Sequence, residues 1–168
     1  FDNIWIQPAA GDAGGSLGAA LALWHLELKQ ERKISNNDMK GSYLGPSFSQ
    51  KEIENKLKNL NANFEVFGEK ELIEKTAESL KLGDAIGWFQ GRMEFGPRAL
   101  GGRSILGDPR SPSMQKNLNL KVKYRESFRP FAPSVLREDI DKWFKLNADS
   151  PYMLLVAEVL ENKKIQMT

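Results

Sequence analysis

The sequence contains no cysteine and only one histidine, His25. Disulfides and thiolate metal sites are therefore excluded, which fits a reducing compartment. No apolar run approaches the roughly 20 residues needed to span a bilayer, and the opening Phe1-Asp2-Asn3-Ile4 lacks the basic and apolar regions of a secretion signal. The expectation is a cytoplasmic protein with no membrane partner. Repeats and low-complexity segments are also lacking, and 168 residues that are 40% hydrophobic and 27% charged have the composition of an ordinary globular chain. Arginine is scarce everywhere except in one window. Residues 91–137 hold seven arginines and three lysines against three acids, a net of +7, so the rest of the chain carries −5; of the eight arginines only Arg32 lies outside. Arginine presents a planar fork of donors that lysine does not reproduce, so the segregated charge points to an oxyanion.

Periodicity and punctuation predict a mixed α and β order. A short strand, Ile4-Trp5-Ile6, leads into the glycine-rich loop 11–18. Leu17, Leu21, Trp24 and Leu28 then recur at helical spacing and share one face of a helix that ends in the charged run 29–33; residues 35–46 read as loop. Ser49 with Glu52 three residues later forms a capping box for a second helix, carrying Ile53, Leu57 and Leu60 and closed by Asn61. Alternation at 64–67 suggests a strand, 69–82 an amphipathic helix with Gly83 just past its end, and 85–89 another strand. After an irregular stretch come a strand around 104–106 and a helix opened by Ser111-Pro112. A strand at 131–135, interrupted by Pro133, a short helix at 138–144 and a strand or pair of strands over 152–160 complete the expectation. Both ends read as the edges of a fragment of a longer protein.

Three segments carry chemistry. In the loop around Asp12, small residues let a ligand approach the backbone, and the following helix offers unpaired N–H groups to a phosphate. A tight strand-to-helix turn explains the same glycines, because neither the dinucleotide fingerprint nor the Walker lysine is present; Asp12 suits a metal ligand or a helix cap. The second segment, 90–110, is punctuated by Arg92, Arg98, Arg103 and Arg110 among glycines and prolines. Irregular backbone lets such guanidiniums converge on one anion, and Glu94 could orient one of them. A solvated basic surface is the bland alternative. The third is 119–133, where an extended Lys123-Tyr124-Arg125 would direct both cations to one side, since strand side chains repeat every second residue. Tyr124, Phe128 and Phe131 suit either core packing or base stacking, with Phe131 assigned to the core, and His25 reads as a packed or surface residue.

The run Gly91-Arg92-Met93-Glu94-Phe95-Gly96-Pro97-Arg98-Ala99-Leu100-Gly101 with Arg103-Ser104-Ile105-Leu106, followed by Lys123-Tyr124-Arg125-Glu126 and Phe128-Arg129-Pro130-Phe131-Ala132-Pro133, resembles the C-terminal region of the carbamoyltransferase family that includes the nodulation-factor, cephamycin and tobramycin O-carbamoyltransferases. Pro8-Ala9-Ala10-Gly11-Asp12-Ala13-Gly14-Gly15 is similar to that family's loop just upstream, so the resemblance covers nearly the whole chain. It implies an α/β (mixed α+β) fold in which residues 1–60 end an actin-like ATPase-fold lobe and 61–168 form a YrdC-like domain, a twisted sheet with helices. It further implies that the YrdC-like domain makes carbamoyl adenylate from ATP and carbamoyl phosphate with Mg2+, and that the actin-like lobe transfers the carbamoyl group to a hydroxyl acceptor at a site holding Fe2+ or another divalent metal. By this resemblance Asp12 is a metal ligand and Lys123 and Arg125 match the Lys-x-Arg phosphate grip, with Arg92, Arg98, Arg103 and Arg129 as further cations for ATP or carbamoyl phosphate. The family's paired histidine ligands belong to an upstream segment. The implied partner is therefore the N-terminal lobe of the same protein, and a fragment alone is expected not to transfer a carbamoyl group.

The competing reading is an RNA- or nucleotide-binding YrdC-like module without transferase activity, since a +7 segment also suits a polyphosphate backbone. Against nucleic acid, stripes that bind it are rich in lysine and exposed aromatics, whereas these arginines lie between glycines and prolines as in a compact pocket.

Overall fold

Residues 2, 4, 6–33 and 38–164 are described by the computed structural model. Among them the expected mixture of helix and sheet is present, with two antiparallel strands, β1 (Ile86–Phe89) and β2 (Arg103–Leu106), making the one sheet. Helix α1 (Asp12–Ala22) continues as a π-helical turn over Leu23–Glu27. Helices α2 (Gln50–Asn59) and α3 (Glu69–Lys81) lie where periodicity places them. Two four-residue helices follow: α4 (Met114–Asn117), which runs into a π turn over Leu118–Val122, and α5 (Ile140–Trp143), entered through a 3₁₀ turn at Arg137–Asp139. No helix among the described residues is long and apolar enough to cross a membrane.

Local chemistry sets the limits of α2 and α3. At the start of α2 the Ser49 hydroxyl accepts from the Glu52 N–H while the Glu52 carboxylate accepts from the Ser49 N–H at 2.8 Å, the reciprocal capping box. Both helices end in the same way. Asn61 (φ 49°) donates to the Lys58 carbonyl and Ala62 to that of Leu57; Gly83 (φ 91°) donates to Leu80 and Asp84 to Ser79. In each case a left-handed residue turns two N–H groups back onto carbonyls that would otherwise lack partners.

Five expectations need correction. The strand at 4–6 includes Trp5, which lies outside the described residues, and Ile4 and Ile6 are exposed and belong to no strand. Residues 64–67 and 131–135 form no strand, and 152–160 contributes only one antiparallel bridge, Phe144 with Val159. Alternation makes a segment able to pair, but a ladder needs a partner with free N–H and C=O groups, and Pro133 has no N–H to offer. The fourth helix begins at Met114, with Ser113 as its N-cap, two residues later than Ser111-Pro112 suggested.

The chain divides into two compact units, Phe1–Phe48 with Phe89–Arg103 and Ser150–Leu155, and Ser49–Trp88 with Ser104–Asp149 and Val156–Thr168. Within the first, the Phe48 and Phe89 rings meet at 6.4 Å, while Leu21, Trp24 and Leu28 of the predicted apolar face are about half exposed. Within the second, Met114, Leu118 and Ile140 are buried. Gly107 lies so close to this group that a Cβ there would come within 2.9 Å of Met114 Cγ.

Candidate functional site

In the first unit the segment after β1 is organised around one acid. Glu94 is buried, and its Oε1 accepts from the backbone N–H groups of Leu100 and Gly102 at 2.7 Å and of Arg103 at 3.2 Å. Its Oε2 accepts from Arg103 Nε at 2.9 Å, and Arg103 Nη2 reaches the Gly96 carbonyl at 3.1 Å. Burial alone would raise this carboxyl, yet the Leu100 N–H, the Arg103 guanidinium and the Gly102 N–H hold it down at about 2. The orienting role predicted for Glu94 is therefore present, and Arg103 is the guanidinium it orients.

The glycines make this fold-back possible. A Cβ on Gly102 would lie 2.8 Å from the Arg92 carbonyl and 3.1 Å from Glu94 Oε2, and one on Gly96 (φ 107°) would lie 2.6 Å from Ala9 Cβ. Opposite them, residues 42–46 pair with 93–95: Phe95 donates to the Ser42 carbonyl, Met93 to Pro46 and Gly45 to Met93. The Tyr43 hydroxyl donates to the Leu100 carbonyl and Arg92 Nη1 to that of Gly45, both at 2.5 Å. These contacts frame an open recess of about 220 Å³ lined by Tyr43, Gln90, Gly91, Arg92, Gly101 and Gly102. Arg98 is exposed on the same loop and has no carboxylate partner among the described residues.

The second unit holds the other predicted cations. Lys123-Tyr124-Arg125 is not extended: Lys123 closes the π turn with φ −94° and ψ −13°, and Tyr124 has φ 49°. Lys123 and Arg125 therefore do not leave one side of a strand. The chain turns back instead, with the Arg125 N–H on the Asn119 carbonyl at 3.0 Å. Arg125 Nε donates to Asn119 Oδ1 at 2.6 Å, and its guanidinium lies 5.0 Å from the centre of the Phe131 ring. Arg129 pairs with Glu126 at 3.0 Å, and that cation draws the Glu126 carboxyl below its ordinary value, after a backbone hydrogen bond as the larger cause. Lys123 is exposed without an ion pair among the described residues, and so are Tyr124 and Phe128. Arg110, also in this unit, forks onto Asp108 through Nε and Nη2.

Of the six predicted oxyanion cations, Arg92, Arg98 and Arg103 thus belong to one unit and Lys123, Arg125 and Arg129 to the other. Two of the six, Arg103 and Arg129, are neutralised by carboxylates. Sequence reasoning missed Tyr43, placed in a presumed loop, and Asn119, which carries no charge to attract notice.

Asp12 is the first residue of α1 and is exposed. Its carboxylate accepts no capping hydrogen bond, and no three His, Cys, Asp or Glu side chains among the described residues gather where they could hold a metal ion. One carboxylate does not make a centre for a divalent ion, which takes several ligands. The described residues alone therefore do not fit the implied metal. His25, half-buried, places Nδ1 2.9 Å from the Gln30 carbonyl, as a packed histidine would.

Residues 77–168 match the family model described as Carbamoyltransferase C-terminus. Across 100% of this chain, an uncharacterized Synechocystis protein, sll1178, is 57% identical. Nodulation protein NolNO of Sinorhizobium fredii is 42% identical over 98% of the chain, and Nodulation protein NolO of Bradyrhizobium diazoefficiens 40% identical over 97%. The chain spans only 28%, 24% and 30% of the lengths of these three relatives.

Proposed function

Since the chain belongs to the carbamoyltransferase C-terminus family, we propose that it supplies the ATP- and carbamoyl-phosphate-binding part of an O-carbamoyltransferase. In this reading carbamoyl phosphate, ATP and water give carbamoyl adenylate, pyrophosphate and phosphate. An acceptor hydroxyl then attacks the carbamoyl carbon, loses its proton and displaces AMP. Residues 61–168 act as the YrdC-like domain, and residues 1–60 close the lobe where transfer occurs. Bringing a triphosphate and a second phosphate together sets like charges against each other, so fixed cations must screen them. Magnesium on the triphosphate would share that charge.

One observation carries the reading. Arg92, Arg98, Lys123 and Arg125 have no carboxylate within ion-pair distance among the described residues, although acids neutralise Arg103, Arg110 and Arg129 nearby in sequence. Positive charge left uncompensated next to compensated charge is what an anion site requires. Arg103 accordingly shapes the loop that carries Arg98 and borders the recess, while Arg129 braces the turn below Arg125. Arg125→Ala and Lys123→Ala are expected to weaken Mg-ATP binding about tenfold or more each without lowering thermal stability by more than a few degrees, read by calorimetric titration and thermal unfolding of the complete protein. Unchanged affinity in both variants contradicts the placement.

A further inference from the structure

Arg125 owes its direction to a neutral residue. Asn119 is fully buried, at 0% exposure. Its Nδ2 donates to the carbonyls of Ser127 at 3.1 Å and Arg129 at 2.8 Å, which spends both amide hydrogens and leaves Oδ1 as the only acceptor on the side chain. That oxygen takes Arg125 Nε at 2.6 Å, and the Asn119 backbone carbonyl takes the Arg125 N–H at 3.0 Å. Gln115 supports the same turn by donating to the carbonyls of Phe128 and Arg129. Nε is held by Asn119, and the guanidinium carbon lies over the Phe131 ring, 5.0 Å from its centre. The Nη1 and Nη2 edge, which has no hydrogen-bond partner among the described residues, is the part that forks onto an oxyanion.

We propose that Asn119 is the positioning residue for Arg125, holding its Nη edge ready for a phosphoryl group. The inference rests on the phosphate-binding reading of Arg125 given above. A flexible arginine must be ordered when the anion binds, whereas one ordered beforehand loses less entropy, so the contribution of Asn119 reaches the ligand only through Arg125.

A double-mutant cycle on the complete protein separates this role from a merely structural one. The dissociation constant of Mg-ATP is measured by calorimetry for wild type, Asn119→Ala, Arg125→Ala and the double variant, with thermal unfolding recorded for each. Asn119→Ala is expected to weaken binding about tenfold, and to add nothing once Arg125 is alanine. Should Asn119→Ala fail to fold, Phe131→Leu, which removes the supporting ring and leaves the hydrogen bonds intact, is expected to weaken binding severalfold and to become silent in the same background. Losses that add across the cycle overturn the positioning role while leaving Arg125 as a ligand-binding residue. An Arg125→Ala variant that binds Mg-ATP like wild type overturns the phosphate-site reading itself, and the inference with it.

Discussion

Glu94 and Asn119 are both buried polar side chains with every partner in place, and each holds an arginine. Removing such a group costs more than its own bonds, because the donors left behind stay buried without partners. Glu94→Ala is therefore expected to destabilise the protein by about 2–4 kcal/mol in urea unfolding. Glu94→Gln is the milder change: its oxygen can stay with the three backbone N–H groups while its NH₂ faces Arg103 Nε, so Arg103 is the group set loose. A pH series follows from the same site. The folded carboxyl lies near 2 against an ordinary 4.5, so its contribution is fully present above about pH 5 and is lost as pH falls through 4.5 toward 2. The stability difference between wild type and Glu94→Gln should narrow over that range; a difference unchanged at pH 3 contradicts the clamp.

At the level of elements, the helices were legible in the sequence because their signals are local. The Ser49 and Glu52 box, Asn61 and Gly83 each act within one turn of the residue they cap, and each is found in its predicted place. Ser49→Ala is expected to cost about 1 kcal/mol, and Gly83→Ala, which puts a Cβ at φ 91°, about 1 kcal/mol as well; a thermal midpoint unmoved in both would contradict these roles. Strands were less legible. Residues 64–67 and 131–135 have the right alternation, yet pairing is decided by what lies alongside, and only 86–89 and 103–106 find each other. Reading 123–125 as extended failed for a related reason: the backbone there serves Asn119, whose amide draws the carbonyls of Ser127 and Arg129 inward and forces a turn with Tyr124 left-handed. The density of glycine in 91–107 was visible from the start, but its cause, backbone packed against Ala9, Glu94 and Met114, is not written in any local pattern.

Over the whole molecule, the separation of charge into a +7 segment and a −5 remainder is the feature most plainly announced by composition. The structure refines it by showing which cations are already compensated. If Lys123 and Arg125 grip a polyphosphate, its binding should weaken as salt rises, with Arg125→Ala reducing the slope of that dependence; a salt-independent affinity would contradict an electrostatic grip. What composition could not convey is that the six candidate cations divide between two compact units, a fact set by long-range packing. The most direct test of the account is calorimetric titration of the complete protein with Mg-ATP, with and without carbamoyl phosphate, comparing wild type with Arg125→Ala and Lys123→Ala. The account predicts binding by wild type that is strongly weakened in folded variants. Variants that bind both ligands as wild type does would contradict it.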